Sequence, residues 1–249
     1  MARRRKKNDT GEVLAILVIS IIKLVLGLIY RIIIFSFDLI TFYTTDYKEK
    51  SGNNFFKMYF DKGNYGEFIL YRKVIRIFGK KLVLTNIYLD NVNTDLTEID
   101  VLAVSEKGIY VFEMKNYSGY IYGSEKDKQW TQVFNKWSKY KFYNPLRQNY
   151  AHCKAVENYL DVTKEEIIPI TVFSNNSKLS KINIGVSHNV FQYRDAMKFV
   201  KNNERKGNNL ISVQSKEKYL IDLLKKCNMS EEVKLKHIED VKELINQNT

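Results

Sequence analysis

The stretch Thr97 to Gly123, TEIDVLAVSEKGIYVFEMKNYSGYIYG, constrains this chain more than any other. β-Branched and aromatic residues alternate with other types on either side of Glu106-Lys107-Gly108, the pattern of two antiparallel strands joined by a tight turn. Pairing Glu106 with Ile109 across a two-residue turn sets Asp100 opposite Lys115 and one diagonal step from Glu113, so all three side chains leave one face. Leu102, Val104 and Val111 share that face, and the charged end of the hairpin interrupts an otherwise apolar surface. Two carboxylates so gathered are hard, anionic donors suited to Mg²⁺ or Mn²⁺, and the lysine beside them adds an amine to stabilise charge growing on a phosphate. Spacing alone also allows a plain surface ion pair worth under about 1 kcal/mol.

Further motifs stand in order around the hairpin. Gly63-Asn64-Tyr65-Gly66-Glu67 opens a helical segment, Tyr65 to Phe78, with Glu67 in its first turn, where a carboxylate also suits the helix dipole. Trp130 follows the hairpin. Asn144-Pro145-Leu146-Arg147-Gln148-Asn149 then starts a helix running to Leu160, with Asn144 as cap and Pro145 at its first position. Its expected buried stripe is Leu146, Tyr150, Cys153, Val156 and Leu160, with Gln148 on another side near His152.

Over about Lys62 to Phe173 these motifs resemble the nuclease-related domain (NERD), a relative of the restriction-endonuclease-like PD-(D/E)xK nucleases. The resemblance implies an α/β fold, a central mixed β-sheet flanked by helices, and a Mg²⁺- or Mn²⁺-dependent phosphodiesterase centre. Carried over residue by residue, it makes Asp100 and Glu113 metal ligands, Lys115 the catalytic lysine, Glu67 an additional acidic ligand, and Gln148 the glutamine of exonuclease-like members. The chain departs from the family pattern at Ile99, where a proline is expected before the first aspartate.

Forty Lys and Arg against 28 Asp and Glu leave a formal charge of +12, which favours anionic partners, nucleic acid or an anionic membrane. Lys126, Lys128, Lys136, Lys139 and Lys141 lie among the aromatics of two further strands, Trp130 to Phe134 and Trp137 to Phe142. With Arg147 they are the expected nucleic-acid-binding residues, the rings being either stacking platforms or core. Cys153, Cys227 and three scattered His support neither a structural zinc nor a disulfide framework.

Ahead of the domain, basic residues 3 to 7 precede an apolar run, Val13 to Tyr30, whose single charge is Lys23. Eighteen helical residues span about 27 Å, close to the bilayer hydrocarbon, so residues 13–43 read as a membrane anchor spanning at about 13–30 and interfacial from Arg31 to Tyr43. An amphipathic helix lying in the interface is the alternative. The basic N-terminus (1–12) favours a single pass with that end in the cytoplasm. Residues 44–61 are then expected as a polar linker, 62–190 as the nuclease-like domain and 191–249 as a helical extension. In that extension Arg194 to Lys201 reads as helix, Asn202 to Asn209 as a basic loop, and Ser215 to Lys226 and Ser230 to Asn246 as amphipathic helices. The expected function is a membrane-anchored, metal-dependent nuclease acting on DNA rather than RNA; the alternative is a noncatalytic nucleic-acid-binding or scaffold module.

Overall fold

The structure is a computed structural model describing residues 9–91, 96–186 and 188–227, in two compact units, 1–44 and 45–249. The first unit is one helix, α1 (Asp9–Thr44), which runs on unbroken through Arg31 to Tyr43, the segment expected at the interface. Its stretch Gly11–Thr44 is long and apolar enough to cross a membrane, and the side chains from Val13 to Ile33 are exposed all round. A helix with no polar face in that stretch is the kind that lipid covers.

The second unit corrects the expected linker. Residues 45–61 fold into α2 (Tyr47–Ser51) and α3 (Phe55–Phe60). Tyr47, Lys50, Phe55 and Met58 are buried, and the Lys50 ammonium donates to the carbonyls of Lys80 (2.8 Å) and Val83 (2.7 Å). Polar letters misled here because a lysine can bury its stem and satisfy its head on carbonyl oxygens.

Helix α4 (Lys62–Phe78) starts three residues earlier than expected, because the Asp61 side chain accepts from the Asn64 N–H (2.8 Å) and caps it. Glu67 therefore stands in the second turn, away from the helix N-terminus. Strands β1 (Val83–Asp90), β2 (Leu96–Ser105) and β3 (Gly108–Lys115) form an antiparallel meander. The turn expected over Asp90 to Leu96 falls mainly on residues outside those described. β7 (Ile167–Phe173) and β9 (Val190–Gln192) then add in parallel, giving the order β1-β2-β3-β7-β9. A second mixed sheet, which strand alternation in the sequence does not separate from the first, has the order β6-β5-β4-β8: β4 (Gly119–Ser124), β5 (Gln129–Val133), β6 (Lys139–Tyr143) and β8 (Ser177–Asn183).

Alternation along β3 divides the main sheet's two faces. Ile109 and Val111 pack with Cys153, Val156 and Leu160 of α5 (Pro145–Leu160) and Leu223 of α7 (Val213–Leu224). Tyr110 faces the other way, against Phe78 of α4, and its hydroxyl meets Asn203 and Glu204 of α6 (Tyr193–Lys206). Helix α6 thus runs through residues expected as a basic loop, and α7 begins at a Ser212 cap instead of Ser215. Because Ile211 and Leu223 join the main core, the described part of the C-terminal region completes the domain. The expected helix Ser230 to Asn246, with His237, lies outside the described residues.

The second sheet is keyed to the first by Trp130, which is fully buried and stacks on Phe173 at the end of β7 (6.0 Å, 3° between planes). A Cβ on Gly123 would lie 2.3 Å from this ring, and the indole N–H is already fixed to the Ser124 carbonyl (2.9 Å). Gly123→Ala is therefore expected to cost about 1–3 kcal/mol by overpacking, read as a lowered thermal midpoint.

Candidate active site

The turn between β2 and β3 is Glu106-Lys107, flanked by the pair Ser105 and Gly108, so the register differs by two residues from that expected. Continued past Val101 and Phe112, it brings Asp100 opposite Glu113 instead of Lys115. A slip of two leaves the faces unchanged, which is why the grouping of the residues survives. The paired ladder stops at Val101, and the Asp100 carboxylate fills the opening: its Oδ2 accepts the Met114 N–H at 2.7 Å.

Glu113 is 1% exposed. Its Oε1 lies 2.6 Å from Lys115 Nζ, and its Oε2 lies 2.8 Å from His152 Nε2. When that ring nitrogen donates to Glu113, Nδ1 is left to accept from the Thr97 hydroxyl, 2.7 Å away. The Lys115 ammonium also donates to Gln148 Oε1 at 2.9 Å. Asp100, Glu113, Lys115 and Gln148 are thus brought together at one end of the sheet. His152 joins them and was missed as a participant. The buried side of α5 carries Asn149 and His152 beside Cys153 and Val156, whereas Tyr150, expected in the stripe, is 60% exposed. A stripe drawn through apolar letters alone passes over a buried polar pair, and the i, i+4 relation of Gln148 to His152 was the available signal.

Glu67 is near enough for its charge to act on Asp100, but its carboxylate is bonded to Asn86. Asn86 Nδ2 donates to Glu67 Oε2 (3.2 Å) and to Glu98 Oε1 (2.7 Å), so one amide bridges two acids. Asn86 takes a left-handed backbone (φ 50°) where the β1–β2 pairing skips from Thr85–Val101 to Ile87–Ile99, a conformation asparagine tolerates better than most residues. Glu98 and Asn86 were not anticipated, since strand alternation carries no sign of such an irregularity.

The charges divide sharply. Burial raises the Asp100 carboxyl above its ordinary value, and Glu113 and Glu67 raise it further. Burial pushes Glu67 up to about 8, with the Glu98 charge adding to it. Burial also pushes on Glu113, but Lys115 and then His152 outweigh it and hold this carboxyl below its usual range. Burial works against the Lys115 ammonium, yet Glu113 and Asp100 overcome it and hold the amine charged well into alkaline conditions. A raised acid binds its proton more tightly in the folded state, so Glu67 favours folding at low pH and opposes it as pH climbs from about 4.5 to about 8. Thermal midpoints measured across that window are expected to fall less steeply for Glu67→Gln than for the parent.

The donors suit a hard divalent cation in their chemistry: carboxylate oxygens of Asp100 and Glu113, with the Glu67 carboxyl near enough for its charge to act on Asp100. Among the described residues no group of three His, Cys, Asp or Glu side chains is placed to hold a metal ion. Two carboxylates remain a sufficient protein share for Mg²⁺, which keeps several waters and takes others of its ligands from substrate phosphate. Glu67, expected as a third ligand, is engaged with Asn86. The expected nucleic-acid residues Lys126, Lys128, Lys136, Lys139, Lys141 and Arg147 are all exposed on the second sheet, its turns and the start of α5, the Arg147 guanidinium donating to the Lys126 carbonyl (2.8 Å).

Residues 62–174 match the family described as nuclease-related domain. An uncharacterised protein of Bacillus anthracis is 37% identical over 142 residues, 56% of this chain and 66% of that relative, so the match leaves about a third of the relative uncovered. A crystal structure of a protein of unknown function aligns with 72% of this chain and 99% of its own, at 14% identity and a TM-score of 0.31.

Proposed function

The chain belongs to the nuclease-related domain family through residues 62–174, and from that premise we propose that it is a membrane-anchored, divalent-metal-dependent nuclease hydrolysing phosphodiester bonds in DNA. The observation that carries the reading is the convergence of Lys115 with Glu113 (2.6 Å) and Gln148 (2.9 Å) beside Asp100, where β2 parts from β3. Asp100 and Glu113 would hold Mg²⁺ or Mn²⁺, which supplies charge neutralisation at the phosphate and activation of water. The Lys115 ammonium, aimed by two partners, donates to the phosphate oxygen on which charge grows. Gln148 fixes the amine from α5. His152, braced by Thr97, sets the Glu113 carboxylate. Helix α1 anchors the domain in the bilayer, with the basic N-terminus cytoplasmic and the nuclease domain on the far side.

The full chain in detergent micelles, incubated with linear and with circular DNA in the presence and absence of Mn²⁺, tests the proposal. Cleavage that requires the metal and falls at least about 100-fold in Asp100→Ala is the expected result, comparable to removing one hydrogen bond to the transition state. Salt-dependent binding without cleavage in Mg²⁺ or Mn²⁺ would replace the nuclease by a noncatalytic binding module. Cutting of the circle distinguishes internal from terminal attack.

A further inference from the structure

Helix α6 lies beyond the matched family region, and its sequence YRDAMKFVKNNERK sets Arg194, Lys198, Lys201 and Arg205 at intervals of four, three and four. At 100° per residue the four fall within about 60° of one another, a single stripe about 16 Å long. All four are exposed. They line a cavity of about 750 Å³ whose lining also includes Lys73 of α4 and contains no acidic residue. The two acids of α6 stand off the stripe, Glu204 being turned to the hydroxyls of Ser105 (2.8 Å) and Tyr110 (2.6 Å). Burial, and then the Arg72 and Arg76 charges, lowers the Lys73 ammonium below its ordinary value.

The groove has a direction. Tyr193, at the start of α6, donates its hydroxyl to the Gly66 carbonyl (2.9 Å) and places its ring under the Lys73 ammonium (5.4 Å). A second cavity of about 240 Å³ shares Lys73, Asn175 and Tyr193 with the first, and its lining includes Gly66 and Asn116, the chain neighbours of Glu67 and Lys115. The helix packs closely there, since a Cβ on Gly66 would lie 2.5 Å from that of Asn116.

We infer that the basic stripe of α6 and the groove between it and α4 form the path along which the phosphates of a DNA strand approach the catalytic end of the sheet. The assignment rests on the nuclease reading for its substrate, and it moves the main strand contact from the lysines of the second sheet to a helix outside the family region. Sixteen ångströms cover about five phosphates of one strand, enough for four cations to be used together.

Lys198→Ala/Lys201→Ala/Arg205→Ala removes three exposed charges without touching the core. Binding of a fluorescent 30-base-pair DNA to the full chain in lipid nanodiscs, with EDTA present so that cleavage cannot intrude, is measured over a range of salt. The dependence of log K on log salt is expected to be shallower in the variant by about 2–3, at ~0.7–0.9 for each phosphate no longer neutralised, with affinity falling on the order of tenfold or more. Equal affinity and slope overturn the inference, and protection of α6 from amide exchange that rises only when anionic lipid is added would assign the stripe to the membrane instead. A parent that cleaves in Mn²⁺ while the variant binds unchanged defeats only this inference. Stripe-dependent binding without cleavage by the parent defeats only the nuclease reading.

Discussion

Lys115→Met is expected to cut Mn²⁺-dependent DNA cleavage by at least about 10²–10³-fold and to destabilise the domain by about 3–5 kcal/mol. Both effects have one source. The amine lies 2.6 Å from a Glu113 oxygen that is almost wholly buried, so its removal takes away the proposed donor to the phosphate and also the main partner of an interior charge. His152 compensates in part, because it already meets the other oxygen at 2.8 Å. The two effects separate in the double variant Glu113→Gln/Lys115→Met, which no longer buries an unpaired charge. Its thermal midpoint should recover most of what the single variant loses, while cleavage stays absent. A double variant as unstable as the sum of the two single changes would mean that Glu113 and Lys115 do not act as a pair.

Trp130→Ala carries the second large effect, a loss of about 3–5 kcal/mol from truncating a fully buried indole. For a domain of this size that is a fall of roughly 6–20 °C in thermal midpoint. The indole stacks on Phe173, which pairs in register with Lys115 across β3 and β7. Loosening the second sheet should therefore reach the strand that carries Glu113 and Lys115, and the proposed cleavage should fall even at temperatures where the variant is folded. A midpoint within about 2 °C of the parent would show that the two sheets are not joined through this ring.

The candidate grouping was legible because strand alternation fixes faces, and the two-residue error in register preserved them. Asp100, Glu113 and Lys115 could be placed together from letters alone, while the partner directly across from Asp100 could not. The Thr97–His152–Glu113 chain was hidden because its members come from β2, α5 and β3 and meet only after folding. Asn86 was hidden for another reason: a left-handed residue inside a strand leaves no periodic trace, yet it decides where Glu67 and Glu98 point. The stripe of α6 was lost by ending the helix at Lys201, which put Arg205 in a loop and broke the pattern. Lys50 shows the same limit among the short helices, a polar letter satisfied by two carbonyls inside the fold.

Electron paramagnetic resonance of Mn²⁺ added to the full chain in micelles tests the central claim most directly. Asp100 and Glu113 seat the ion in this account, so the parent should bind Mn²⁺ and quench the free-ion signal, and Asp100→Asn/Glu113→Gln should leave that signal at its protein-free intensity. Equal Mn²⁺ binding by parent and double variant would contradict it.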